Sequence, residues 1–249
     1  MKNNFLPTSK IGGITFSNLQ FDSLVQVIEE SVTNSSALHI HFVNAYTTSL
    51  TLNNQNLLKL LNCASSLNLS DGKGITWLSK IIDRKSKLRQ LRGPSFFSNF
   101  LLESSIPHAN HYFLGGTQNT LFTLVSKLEN SGNLKIVGFE SPPFRELTVL
   151  ERNALLRRIE STKPDIVWVG LGTPKQDFEA EFIAKNLNVV AIAVGAAFDF
   201  YSGNVKESPS WVSSIGLEWL FRLVQEPKRL LPRYTLGFVN LLRVLFRNR

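Results

Sequence analysis

The chain has one cysteine, Cys63, in 249 residues, so no intrachain disulfide can form. That scarcity fits a reducing compartment. No uncharged apolar run approaches the roughly 20 residues that a bilayer-spanning helix needs. The longest, Val189 to Phe198, has the length of a strand. Residues Met1 to Gly13 hold no apolar stretch of the signal-peptide kind, and no signal peptide is expected. The four histidines (His39, His41, His108, His111) and Cys63 make no metal-ligand spacing, and Cys63 lacks the setting of a nucleophile. Asp-x-Asp, the usual carboxylate clamp for a metal-bound nucleotide diphosphate, is absent, and no metal or other cofactor is expected. So are G-x-G-x-x-G and G-x-x-x-x-G-K-[ST], which argues against a nicotinamide-dependent oxidoreductase and a P-loop enzyme. There is no G-x-S-x-G nucleophile elbow. Negative charge also runs out: after Glu226 no acidic residue follows, whereas Lys228, Arg229, Arg233, Arg243, Arg247 and Arg249 do.

What is present is enough for a sizeable core, with 43% hydrophobic residues and a net charge of +8. The charge points to an anionic partner: nucleic acid, a phosphorylated ligand or an anionic membrane surface. Strand and helix patterns alternate. Strands are expected at Ile11–Phe16, Leu38–Asn44, Ser66–Leu69, His111–Leu114, Leu134–Phe139, Asp165–Gly170 and Val189–Val194. Helices are expected at 22–32, 46–61, from after Asp71 to 82, 94–104, 118–128, 147–160 and 174–186. The strands at 165–170 and 189–194 are almost wholly apolar, as in a sheet covered on both faces. This predicts an α/β fold with a Rossmann-like, mostly parallel sheet, helices on both faces and right-handed crossovers. The expected core spans residues 1–212. Residues 213–249 form a basic, amphipathic C-terminal helical appendage, in which Pro227 and Pro232 interrupt any long helix. Residues 84–92 read as a basic linker.

Several strand-to-helix turns carry candidate chemistry, since ligands of open α/β sheets bind outside the carboxyl ends of the strands. Asp71-Gly72-Lys73-Gly74 follows the third expected strand; Asp71 there either faces a ligand or caps the next helix. Gly115-Gly116-Thr117 is a candidate phosphate or ribose contact. In Gly170-Leu-Gly-Thr-Pro-Lys-Gln176, Thr173 is the expected N-cap and Pro174 the first helical residue. Free N–H groups and Lys175 would there favour a phosphate. Gln176 either reads a base or sugar hydroxyl or is a solvated surface residue. Asp199, among aromatics, is read as structural. Arg222, Arg229 and Arg233 would share one face of an unbroken helix, and their forks suit phosphate oxygens. The stretch 234–249 either lies on a bilayer interface or packs on the core.

Taken together, Ile11-Gly-Gly-Ile-Thr-Phe, Asn44, Asp71-Gly-x-Gly74, Arg92-Gly93, Phe113-Leu-Gly-Gly116, Gly170-Leu-Gly-x-Pro-Lys-Gln176, Gly195-x-x-Phe-Asp-Phe, and Gly203 with Pro209 and Trp211 form a recognisable series. It continues through Gly216-Leu-Glu-Trp-Leu-x-Arg222 and Glu226-Pro-x-Arg229 to Arg233. The series resembles the WecG/TagA/CpsF glycosyltransferases, family 26, over nearly the whole chain. The resemblance implies an inverting, metal-independent enzyme. It would move a hexose or N-acetylhexosamine-type sugar from a UDP-sugar to a polyprenyl-diphosphate-linked saccharide in cell-surface polysaccharide synthesis. Carried over by position, Asp71 is the catalytic general base and Asn44, Arg92 and Gln176 are pocket residues. Arg222, Arg229 and Arg233 would meet the lipid diphosphate. The donor cradle then falls on Gly115, Gly116, Gly172, Lys175 and Gln176. The implied setting is the cytoplasm, on the inner membrane surface, with no nucleic acid and with a homo-oligomer open. Three positions depart from the family: Phe42 replaces a small polar residue, Glu207-Ser-Pro209 replaces Arg-Ala-Pro, and Asp177 replaces Glu. The competing reading from another class is a non-catalytic nucleotide- or RNA-binding Rossmann-like protein.

Overall fold

The computed structural model describes residues 8–103, 105–132, 134–209, 212, 216–228, 230–232, 234, 235, 237 and 240. The main sheet has six strands: β3 (Leu38–Val43), β4 (Ser66–Ser70), β5 (Asn110–Gly115), β6 (Lys135–Glu140), β7 (Ile166–Gly170) and β8 (Val190–Ala193). Their order is β4-β3-β8-β7-β5-β6. The registered pairs of β3 with β8, β8 with β7, β7 with β5, and β5 with β6 are all parallel. A parallel strand cannot be followed by a tight hairpin to its neighbour, so each link runs through a crossover, most of them helical. The expected α/β class and the two-sided helical covering are what the chain forms.

Contacts divide the chain into two compact units. The second, residues 21–41 and 93–205, holds α1 (Phe21–Thr33), α5 (Gly93–Leu102), α6 (Gln118–Ser131), α7 (Val149–Ser161), α8 (Lys175–Leu187), α9 (Ala197–Ser202) and strands β5 to β8. Alternation along β7 sorts its two faces. Val167 and Val169 pack with Leu155 and Ile159 of α7 and with Ala180, Ile183 and Ala184 of α8. Trp168 points the other way, into Phe97 and Phe100 of α5, and Phe97 in turn meets Phe198 of α9. His111 stacks on Trp168 at 6.2 Å and accepts its indole N–H at 3.0 Å.

The first unit, residues 1–20, 42–92 and 206–249, holds β4 and begins with a hairpin. The expected single strand over 11–16 is instead β1 (Thr8–Ile11) and β2 (Ile14–Ser17), paired antiparallel. Gly12 and Gly13 turn between them with φ of 57° and 84°. Two consecutive left-handed residues match the right-handed twist of a two-residue hairpin, and glycine takes that conformation without steric cost. The expected helix over 46–61 is likewise two helices, α2 (Ala45–Thr51) and α3 (Gln55–Leu61). The first ends at its C-cap Leu52, and Asn54 starts the second, accepting the Leu57 N–H at 3.0 Å. The unit also contains α4 (Lys73–Ile82) and α10 (Glu218–Gln225). α10 ends at the residue before Glu226-Pro227, so the unbroken helix that would align Arg222 with Arg229 and Arg233 does not form. The residue before a proline is pushed out of helical conformation. Arg229, Arg233 and 241–249 lie outside the described residues.

Burial sets the charge state of two core histidines. It holds His111 down at about 4. His39 is held at about 2, by burial first and then by the charges of His41 and Lys185. Both are therefore neutral in the fold and protonate readily only in the unfolded chain, near pH 6.5. Their contribution to stability is complete above that value. It is lost as pH falls below it, down to about 4 for His111 and about 2 for His39. Each costs about 1.4 kcal/mol per pH unit in that window. Urea unfolding between pH 7 and 5 should show this fall, and His111→Gln should flatten the slope.

Candidate functional site

In the first unit the site begins at two strand ends. The Asp71 N–H donates to the Val43 carbonyl at 2.9 Å, so the chain beyond β4 stays registered with the end of β3. The next residue after Val43 is Asn44, the N-cap of α2. Its side-chain oxygen accepts the Thr47 N–H at 3.0 Å and the Thr47 hydroxyl at 3.2 Å. The cap uses only that oxygen, which leaves the NH2 end of the carboxamide for another partner.

Asp71 is half-buried. Gly72, not Asp71, occupies the N-cap position of α4, with φ of 94°. A β-carbon on Gly72 would meet nothing within 4 Å, so the glycine answers a backbone demand rather than a packing one.

Arg92 arrives by a third main-chain contact. The Leu91 N–H donates to the Ser70 carbonyl at 2.9 Å, which draws the end of the basic linker alongside β4. The guanidinium binds Glu218 through two bonds, Nε at 3.0 Å and Nη2 at 2.7 Å. Its Nη1 reaches Glu207 at 2.8 Å. Burial works against the arginine's charge, but the two carboxylates outweigh it and hold its pKa above the usual value. Arg222 lies one turn after Glu218 on α10 and is half-buried. Further along, the Asn240 side chain donates to the Ser49 carbonyl at 3.4 Å, and Gly237 faces Tyr46 of the same helix. Glu207 and Glu218 are thus bonded to the end of the linker, and Gly237 and Asn240 lie against α2.

The second unit carries the glycine turns. Gly115 has φ of 117°, and a β-carbon there would fall 2.4 Å from the Gly170 carbonyl oxygen. The two strand ends approach so closely that only glycine fits. The Gly116 N–H donates to that same carbonyl at 3.0 Å, so it is not held out for a phosphate. In the turn after β7, Gln176 is neither solvated nor free. It is 4% exposed, and its Oε1 accepts the Gly172 N–H at 3.0 Å. Its own N–H donates to the Gly172 carbonyl at 2.9 Å. Thr173 is not the cap; Pro174, after a cis Thr173–Pro174 bond, takes that position and the helix starts at Lys175. The Asp177 N–H turns to the Pro174 carbonyl at 3.1 Å. The expected set of free donors is thus partly spent inside the turn. Lys175 Nζ binds the Arg145 carbonyl at 2.9 Å. Gly172, with φ of 75° and open space where a β-carbon would stand, leaves bare backbone accessible. Asp199 meets the Thr120 hydroxyl at 3.5 Å.

One arrangement was not read from the sequence. The buried His39 Nδ1 and His41 Nε2 lie 2.7 Å apart, and His41 Nδ1 lies 2.8 Å from Asp177 Oδ1. This chain joins β3 to the first turn of α8, beside Gln176. The alternation of His39 and His41 placed both on one face of a strand, but nothing in the spacing indicated a partner 136 positions away.

A family model described as the glycosyl transferase WecG/TagA/CpsF family matches residues 9–249. The chain belongs to that family. It is 27% identical over 239 residues to an N-acetylglucosaminyldiphosphoundecaprenol N-acetyl-beta-D-mannosaminyltransferase of Bacillus subtilis (strain 168), covering 93% of this chain and 91% of the relative. A protein of the same description from Bacillus spizizenii (strain ATCC 23059 / NRRL B-14472 / W23) is 29% identical over 165 residues, 65% of this chain and 61% of the relative. Glu207, one of the positions at which the resemblance breaks down, places its charge on Arg92.

The two carboxylates on Arg92 differ in weight. Glu218 is more shielded and binds through both oxygens, whereas the Glu207 side chain is 46% exposed. Glu218→Gln should destabilise the fold by about 1–3 kcal/mol, and Glu207→Gln by less than about 1 kcal/mol after solvent screening. Chemical denaturation of the two variants measures the difference.

Proposed function

We propose that this chain transfers a hexose or N-acetylhexosamine-type sugar from a UDP-sugar to a polyprenyl-diphosphate-linked saccharide, with inversion, at the inner face of the membrane. Family membership supports the reaction class. The names of the relatives make N-acetylmannosamine the first donor sugar to test and N-acetylglucosamine on undecaprenyl diphosphate the first acceptor. The observation that carries the reading is the Asp71 carboxylate. It stands half-buried at a strand end, in a unit that also positions Asn44 and Arg92.

In the reaction, Asp71 accepts the proton of the acceptor hydroxyl as that oxygen attacks the anomeric carbon. The bond from that carbon to the UDP oxygen breaks, and the electron pair leaves on the diphosphate. A base in hydrogen-bond reach is worth about 10²–10⁴-fold. The negative charge that develops on UDP would be met by cations, among them Lys175 once it is released from the Arg145 carbonyl; no metal ion enters this reading. Gln176, fixed by the Gly172 N–H, keeps that turn in shape. Gly115 and Gly116 keep the neighbouring strand end low enough for a nucleotide to approach. Arg222, Arg229 and Arg233 would hold the acceptor's diphosphate, whose lipid remains in the bilayer.

Asp71→Asn should fold and bind UDP as the wild type does, yet lose transfer by about 10²–10⁴-fold. Calorimetric UDP binding and a transfer assay on the same preparation test this. Transfer at the wild-type rate in that variant would remove Asp71 from the role of base.

A further inference from the structure

The first unit exposes a surface that the transfer chemistry does not use. α4 buries Ile75 and Leu78 but leaves Trp77 51% and Ile81 62% exposed, one turn apart on its outer face. Gly216 lies against that indole: a β-carbon on it would fall 2.6 Å from Trp77 Cη2. The residues that follow Gly216 continue the apolar character, with Leu217, Trp219, Leu220 and Val224 all exposed. An exposed apolar surface of this kind, spread over two helices, is a mark of an interaction site.

Its charge identifies the occupant. Lys80, Arg84, Lys85, Lys87 and Arg89 follow the Trp77 turn and are all exposed. Between Lys73 and Leu91 the only acid is Asp83, and its carboxylate is turned back onto the Lys85 N–H at 2.9 Å. Glu218, on the other helix, is occupied by Arg92. The basic stretch does not dangle. Asn18 grips its main chain twice, donating to the Lys87 carbonyl and accepting the Arg89 N–H, both at 2.9 Å. Tryptophan and aliphatic side chains bordered by fixed lysines and arginines match the interface of an anionic bilayer, where the rings lie at headgroup level and the cations meet lipid phosphates. A second copy of this chain would bring the same cations against themselves, on a protein of net charge +8.

We propose that the outer face of α4, the exposed residues from Leu217 to Val224 and the basic stretch 80–89 form a contact surface for anionic lipid bilayers. It extends the membrane setting of the proposed transfer reaction. α4 starts two residues after Asp71, so a bilayer under Trp77 and Ile81 brings that carboxylate to the level of a lipid-linked acceptor's headgroup.

The test is binding of the full chain to vesicles of phosphatidylglycerol and phosphatidylcholine, against phosphatidylcholine alone, by co-sedimentation with tryptophan fluorescence. It needs no turnover, so failure of the surface and failure of the transfer reading are distinguishable. The wild type should bind the anionic vesicles, with a blue shift, and bind the neutral ones weakly. Each cation near the surface contributes about five-fold, so the triple variant Arg84→Gln, Lys85→Gln, Lys87→Gln should bind about 10²-fold more weakly. Trp77→Ser with Ile81→Ser should lose binding and most of the blue shift. Because Trp77 packs on Gly216, that variant is read beside the charge variant, whose altered side chains are all exposed. Wild-type vesicle affinity in the charge variant overturns the proposal. So does a concentration-dependent dimer that Trp77→Ser converts to monomer while vesicle binding stays unchanged.

Discussion

Two main-chain hydrogen bonds organise the candidate site of the first unit: Asp71 N–H to the Val43 carbonyl, and Leu91 N–H to the Ser70 carbonyl. The first extends the strand pairing one residue past Ser70, and the second ends on Ser70 itself, the last residue of β4. The first fixes where the chain turns from β4 toward α4, and hence where the Asp71 carboxylate begins. The second returns the basic linker to the same strand end, and hence delivers Arg92. Without them, Asn44, Asp71 and Arg92 would be three polar residues on three unrelated turns.

Arg92 carries the arrangement into the C-terminal segment. Its bidentate bond to Glu218 and its contact with Glu207 hold two stretches of chain that the sequence separates from it by more than a hundred positions. An arginine occupied by two carboxylates has little left to offer a substrate phosphate. The arrangement therefore favours a structural part for Arg92 in this conformation. In the second unit the same economy holds. Gln176 spends its side chain on the Gly172 turn, and the His39–His41–Asp177 chain ties that turn to β3. Asn44 and Gln176, which resemble pocket residues of the family, thus act on the shape of their own turns.

The sheet was legible because its strands are short apolar runs closed by glycine or proline, and because both faces of β7 and β8 are covered. The turns were legible as places, not as geometries. Gly12-Gly13 hides a hairpin, since a glycine pair inside an apolar stretch reads equally well as strand. Asn54 hides a helix break, since asparagine within a helical period is only mildly unfavourable. That Gly72 rather than Asp71 stands at the N-cap depends on one backbone angle that side-chain identity does not report. The partners of Arg92 and of His41 were out of reach for a different reason. They are long-range pairs, and charge or spacing along one segment carries no information about a distant one. The departures at Glu207 and Asp177 were visible as differences from the family; their partners were not.

The most direct test of this account is transfer of radiolabelled N-acetylmannosamine from its UDP donor to a short-chain polyprenyl-diphosphoryl N-acetylglucosamine, in anionic vesicles with EDTA, reading the anomeric configuration of the product by NMR. The account predicts a disaccharide-linked lipid with inverted configuration, formed without added metal. A retained configuration, strict dependence on a divalent ion, or absence of transfer across the common UDP-hexoses and UDP-N-acetylhexosamines by a folded, UDP-binding protein would contradict it.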